Sequence, residues 1–287
     1  MHTYSQFKKS EEQVSDVADM VRTIEKIAAS RLHLMTGELA ALDMYTSELA
    51  RALSRLSVGK HFSHPLLELH PNGNNVLVII GGDHGLVGGL HLRLVNFYLD
   101  HTNEYQRVVA IGRQTKELLE QEHVHIERYF DGLPDDFSAQ AISPAAQFLF
   151  DLYRDSAVSG VDILFATYVS LAQQKPEITQ FLPFRFDRDA LSNDEMLPTN
   201  SDEGLPIYEP SRERVFQRFL EMYIQIRFYH TCLEGKLSEL SARTIEMEHA
   251  AKKADDMIGE YRHDYVKRRR MDATLKQLAS FAVSQMI

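Results

Sequence analysis

All nine prolines of this 287-residue chain lie between Pro65 and Pro210. Proline inside a helix removes a hydrogen bond and clashes with the preceding turn, at about 3 kcal/mol or more. Two proline-free arms, 1–64 and 211–287, are therefore free to be very long helices, while the middle, which also holds most of the glycines, is punctuated like a compact domain. In the first arm Val14, Val21, Ala28, Met35, Leu42, Leu49 and Leu56 recur every seven residues. Val17, Ile24, Tyr45 and Ala52 form an intervening row that Arg31 and Glu38 break. In the last arm Phe219, Ile226, Leu233, Leu240, Met247, Ala254 and Tyr261 repeat at the same interval. Val215, Met222 and Tyr229 begin a companion row that turns polar at Lys236 and Arg243. Such rows predict coiled-coil seams. At 1.5 Å per residue the helices would run about 80 Å and over ~100 Å. A folded segment joins them, so the expected packing is antiparallel with a left-handed supercoil.

The middle reads as alternating strand and helix. Asn75–Ile80, Arg107–Ile111 and Val161–Tyr168 are short apolar, β-branched runs expected to be buried strands. Val87–Tyr98, Gln114–Gln121 and Pro144–Asp155 have helical spacing. The predicted fold class is α/β: a Rossmann-like central domain at 65–207, flanked by a long helix at 1–64 and another at 208–287. Residues 187–206, rich in Asp, Asn, Pro and Ser, are expected to form an exposed connection.

Net charge narrows the function. At −10 the chain is a poor candidate for nucleic acid, because phosphate contacts need clustered Lys and Arg. No run of 18 apolar residues exists, so no direct membrane span is expected. The N-terminal sequence has no apolar core of a signal peptide. The one cysteine, Cys232, has no internal partner for a disulfide, and a reducing compartment is expected.

Few residues suggest chemistry. Gly81–Gly89 (GGDHGLVGG) follows a strand and opens a helix, where phosphate often binds. The loop lacks the G-x-G-x-x-G spacing and the Lys-Ser/Thr of a P-loop, and Asp83 would repel an anion. The pattern favours a structural turn built on Asp83, Gly85, Gly88 and Gly89. Asp83 and His84 could form an acid–base pair, and His123 and His125 would share a strand face, but no ligand spacing for a metal accompanies them. No catalytic residue, cofactor site or metal site is predicted. Lys252, Lys253, Arg262 and Lys267–Arg270 make the last helix locally basic, either a solvated face or a surface for acidic partners.

Long helices at both ends of an α/β insert are also the arrangement of the gamma subunit of rotary F-type ATP synthase, and the motifs follow in order. Ile27–Leu32 resembles the family's V-A-A-S-K-L, and His64–Leu67 its H-P-L-L. Asp83–Gly89 resembles D-R-G-L-C-G-G, and Tyr208–Ser211 its Y-E-P-S. Glu239–Ala250 is similar to E-H-A-A-R-M-T-A-M-D-N-A. The resemblance implies a rotor shaft standing in a ring of three alpha and three beta subunits, its foot on the epsilon subunit and the membrane ring of c subunits. ATP or ADP with Mg would bind in beta, and this chain would have no active site of its own. The same resemblance implies partner contacts at Ala28, Ala29, Ser30, Arg31, Met247 and Glu248. Arg243, Lys252 and Lys253 would face acidic loops of beta. Phe281, Val283, Met286 and Ile287 would end the shaft in an apolar bearing. The expected location is peripheral, on the cytoplasmic face of a bacterial or archaeal plasma membrane.

Departures from the family pattern are His84 for Arg, Val87 for Cys, Glu248-His249 for Asp-Asn and Lys26 for Met. Glu11, Glu12, Asp16 and Asp19 are acidic where the family is generally basic. These imply a divergent copy, such as the gamma of an alternative, N-type operon. The redox-regulated chloroplast form needs two inserted cysteines and is excluded. Two competing readings are an α/β enzyme with a helical dimerisation arm and a non-rotary adaptor derived from the gamma fold. The first predicts a ligand on Gly81–Gly89, and the second predicts binding without torque.

Overall fold

The computed structural model describes residues 4–57, 62–71, 73–134, 138–155, 158–185 and 208–284. The expected connection at 187–206 lies outside the described residues, as do Gly59, Asn72, Met286 and Ile287. Each proline-free arm forms one helix: α1 is Tyr4–Ser57 and the last, α5, is Arg212–Ser284. The chain divides into two compact units, Met1–Ser30 with Arg243–Ile287, and Arg31–Ala242.

In the first unit the helices run antiparallel. Arg262 Nη2 stands 2.9 Å from Glu11 Oε1, and Arg22 pairs with Asp255. The buried residues there are mostly small, Ala18, Ala28, Ala251 and Ala254 beside Met247, so the backbones approach closely.

The second unit holds the sheet. Its strands are β1 (Asn74–Ile80), β2 (Arg107–Ile111), β3 (Ile126–Phe130), β4 (Val158–Ser170) and β5 (Gln173–Leu182). Helices α2 (Leu90–Leu99), α3 (Arg113–Gln121) and α4 (Ala139–Arg154) alternate with them. Strand order is β3-β2-β1-β4-β5; β1 pairs in parallel with β2 and β4, β2 with β3, and β5 is antiparallel to β4. β1 is apolar throughout Val76–Ile80 because both faces are covered. Leu77 and Ile79 pack with Leu90, Leu94 and Val95 of α2 and Leu119 of α3. Elsewhere in this unit Phe181 of β5 stacks on Phe150 of α4 and meets Phe228 of α5 at a tilt.

Three expectations change. β5 was not anticipated: it is a polar edge strand containing Pro176, which an edge tolerates. His123 and His125 do not share a strand face. His123 turns with φ 58°, and β3 begins only at Ile126. The α1 seam also has a different second row. Ala18, Thr46 and Leu53 are buried, with Leu32 and Leu39 half-buried, whereas Val17 and Tyr45 are about half exposed. The buried row stands four residues after each member of the Val14–Leu56 row, and the expected one stood three after it.

Antiparallel packing recurs in the second unit. His230 Nε2 lies 2.7 Å from Asp43 Oδ1, and Tyr45 meets Met222. Arg212 Nε donates to the Leu56 carbonyl at 2.9 Å, which satisfies an otherwise free acceptor at the end of α1.

Candidate functional site

The glycine-rich turn leaves the carboxyl end of β1. Asp83 is its anchor: Oδ1 accepts from the backbone N–H of Arg113 at 2.8 Å and of Gly132 at 2.9 Å. Arg113 is the first residue of α3, and Gly112 before it has no side chain to cap the helix. A carboxylate from a distant loop therefore supplies the cap and meets the positive end of the helix dipole. His84 gives its backbone carbonyl to His91 Nε2 at 3.3 Å, and the Asp83 oxygen that could meet an imidazole is taken by the Arg113 and Gly132 amides. Leu86, Gly88 and Gly89 have positive φ, and the two glycines turn the chain into α2 at little cost. Just before them, a Cβ on Gly85 would meet nothing within 4 Å.

In a doubly wound sheet, ligands bind outside the carboxyl ends of the strands where the order reverses. That point is here between β1 and β4. The chain's own α5 fills it. A Cβ on Gly235 would touch Ile80 of β1 at 3.6 Å and Phe165 of β4 at 3.8 Å. One turn on, the Glu239 carboxylate lies so close to Gly82 that a Cβ on Gly82 would stand 2.6 Å from it. Lys236 Nζ donates to Glu239 Oε2 at 3.2 Å, and the two side chains are only 2% and 5% exposed. The space left between Gly81, Gly82, His91 and this pair is about 10 Å³, roughly one water and far below a nucleotide. Residues Lys236–Ala242 are buried without interruption, so α5 passes through the unit instead of lying on it. The sequence marked Lys236 only as a polar break in a row; its signal was an oppositely charged residue three positions on.

Burial pushes the Cys232 thiol up, which leaves it an inert apolar residue inside α5. Burial likewise raises Asp162, against the hydrogen bond it accepts from the Tyr105 hydroxyl at 2.8 Å. Among the described residues no group of three or more His, Cys, Asp or Glu is placed to hold a metal.

The residues assigned to partner contact divide by burial. Ala28, Arg243 and Met247 are buried within the chain, and Arg31 is half-buried. Ala29, Ser30, Glu248, Lys252, Lys253 and Phe281 are exposed. The Val283 side chain and Met286 lie outside the described residues. The structure adds exposed apolar residues: Val17, Met20, Ile27 and Leu34 on α1, and Met271, Leu275 and Leu278 beside Phe281 on α5. Met20, Ile27 and Leu34 follow one another at seven residues, so α1 carries an apolar face besides its buried seam.

A sequence profile described as ATP synthase matches residues 4–275. The ATP synthase gamma chain of Desulfitobacterium hafniense is 28% identical over 249 residues, covering 85% of each chain. That of Moorella thermoacetica is 26% identical over 252 residues, covering 86% of each. Among solved structures, a chain of the Euglena gracilis mitochondrial ATP synthase OSCP/F1/c-ring assembly superposes with a TM-score of 0.69 at 15% identity. That match covers 98% of this chain and 93% of the other. A chain of the rotor from the same organism gives 0.64 at 16% identity, covering 93% and 98%.

Proposed function

The chain belongs to the ATP synthase family as a gamma subunit of the central stalk, and we propose that it turns as a shaft within three alpha and three beta subunits. One observation carries this reading: both long helices present large apolar side chains that nothing in the described chain covers. Met20, Ile27 and Leu34 stand at more than half exposure on α1, and Leu275, Leu278 and Phe281 do so on α5. Water-exposed apolar stripes on helices belong in an interface. Around a turning shaft each beta subunit meets a different face in succession, and the difference in contact free energy biases it between open and closed forms. ATP or ADP with Mg²⁺ binds in beta. This chain supplies no catalytic group, consistent with a switch-point crevice filled by Glu239 and Lys236.

The sheet-bearing region works at the foot of the stalk, against the epsilon subunit and the membrane ring of c subunits, on the cytoplasmic side. Among the described residues no helix is long and apolar enough to cross a membrane, so membrane association runs through those partners. Exposed Lys252, Lys253, Lys267, Arg269 and Arg270 give α5 a basic surface on a chain of net charge −10, suited to acidic loops of beta.

The test is co-expression with the ATP synthase alpha and beta subunits of the same organism, followed by native mass spectrometry and an ATPase assay. One copy of this chain on a hexamer of three alphas and three betas, with activity that depends on its presence, is the expected result. A monomer or homodimer that ignores both subunits overturns the proposal.

A further inference from the structure

We infer that the glycine-rich turn is an anion seat whose permanent occupant is the chain's own Glu239, a positioning residue that fixes α5 to the sheet. Four observations meet at one place. The seat lies at the carboxyl end of β1, at the reversal of strand order. Gly82 leaves the room that the carboxylate occupies, since a Cβ there would stand 2.6 to 2.8 Å from all three carboxyl atoms. Lys236, almost wholly buried, supplies the counter-charge at 3.2 Å. Thr115, fully buried, directs a hydroxyl with no hydrogen-bond partner toward Gly81, 1.9 Å from where a Cβ would be. A buried ion pair is a costly way to pack a helix on a sheet; apolar residues of the same volume would serve as well or better. What the pair adds is a single register: both charges sit on α5, and their buried carboxylate clears the sheet only where Gly82 has no side chain. The ligand class of the seat is thus a small carboxylate or oxyanion, held in cis.

Glu239→Ala removes the equivalent of one acetate, which defines the test. The full-length chain carrying Glu239→Ala is compared in 100 mM acetate, acetamide and chloride at equal ionic strength, by thermal unfolding. Acetate should raise its Tm by about 3 °C or more over chloride through mass action. Acetamide should not, and the wild-type chain should respond to neither. If Glu239→Ala does not fold in chloride, recovery of a cooperative unfolding transition in acetate and not in acetamide is the same readout, and no recovery in either overturns the inference. In a Lys236→Met/Glu239→Ala variant the acetate effect should vanish. Equal Tm in acetate and chloride for the single variant, or an equal rise with the neutral amide, overturns the inference. The outcome is independent of whether the chain assembles with alpha and beta, so the two proposals fail separately.

Discussion

Asp83 joins three loops through one oxygen, a role its position in the sequence does not advertise. The side chain leaves the end of β1, yet the amides it satisfies belong to Arg113 and Gly132. Removing a charged acceptor from two backbone N–H groups, one of them a helix start, costs about 1–2 kcal/mol. Asp83→Ala should therefore lower stability by that amount in urea unfolding, and Asp83→Asn, which keeps an acceptor, by less; equal losses would show that only the charge matters. His64 makes a different demand on protonation. Its Nδ1 accepts from Leu66 N–H at 3.2 Å at the start of a short 3-10 helix, which requires the neutral ring. Burial pushes its pKa below 6.5; Glu221, 3.9 Å from Nε2, and Glu68 oppose the shift, and Arg154 reinforces it. Below pH 6.5 the unfolded chain takes up a proton that the folded chain refuses. Stability from this group is thus complete at neutral pH and is lost as pH falls from 6.5 toward the depressed folded value. His64→Asn keeps an acceptor and does not titrate, so its Tm should fall less than the wild-type Tm between about pH 7 and 5. Asp162 and Glu234, which burial shifts upward, contribute an opposite slope at lower pH, equal in both proteins.

At the scale of elements, the seam of α1 shows what a row of letters conceals. A coiled-coil face alternates steps of three and four residues, so one correct row leaves two choices for the other. Stepping three gives Val17, Ile24, Arg31, Glu38 and Tyr45; stepping four gives Ala18, Glu25, Leu32, Leu39, Thr46 and Leu53. The structure takes the second: Leu53 is 0% exposed and Tyr45 49%. Leu32, Leu39 and Leu53 were present as the signal, masked because Val17 and Ile24 also make an apolar row, of which Val17 is exposed and Ile24 half-buried. Leu53→Ala should cost about 2–5 kcal/mol by chemical denaturation, whereas Tyr45→Ala should change stability by less than ~1 kcal/mol. Comparable losses at the two positions would return the seam to the other row. Among the described residues three of the five strands were legible because apolar runs bounded by Gly, Pro and Asn report burial on both faces, and the helices were legible from their spacing. β5 was not, because its half-buried positions alternate with exposed ones but carry Gln174 and Pro176 beside Ile178, which leaves no hydropathy period to read. The Lys236–Glu239 pair was invisible for a related reason. A charged i, i+3 pair on a helix is ordinarily solvated, and only the tertiary placement of Gly82 and Lys236 makes it buried.

For the molecule as a whole, the division between residues that hold the chain together and residues that face a partner can be separated by experiment. The end of α5 is the cleanest case. Leu275, Leu278 and Phe281 are 60%, 60% and 70% exposed, and the described residues from Gln277 to Phe281 are exposed throughout. Apolar groups already in water contribute little to folding, so Leu275→Asp/Leu278→Asp should leave the Tm of the isolated chain within about 1 °C. If this face seats in an apolar bearing, the same change places two carboxylates in a desolvated contact, each costing several kcal/mol. Co-purification with alpha and beta should then fall at least tenfold, while Lys267→Gln/Arg269→Gln/Arg270→Gln should weaken assembly mainly at low salt, where surface charge steers association. The two variants read different physics on one helix: the first should be insensitive to salt and the second strongly dependent on it. A double Asp variant that assembles like wild type would place the bearing elsewhere, and the exposed stripe of Met20, Ile27 and Leu34 on α1 would be the next surface to charge.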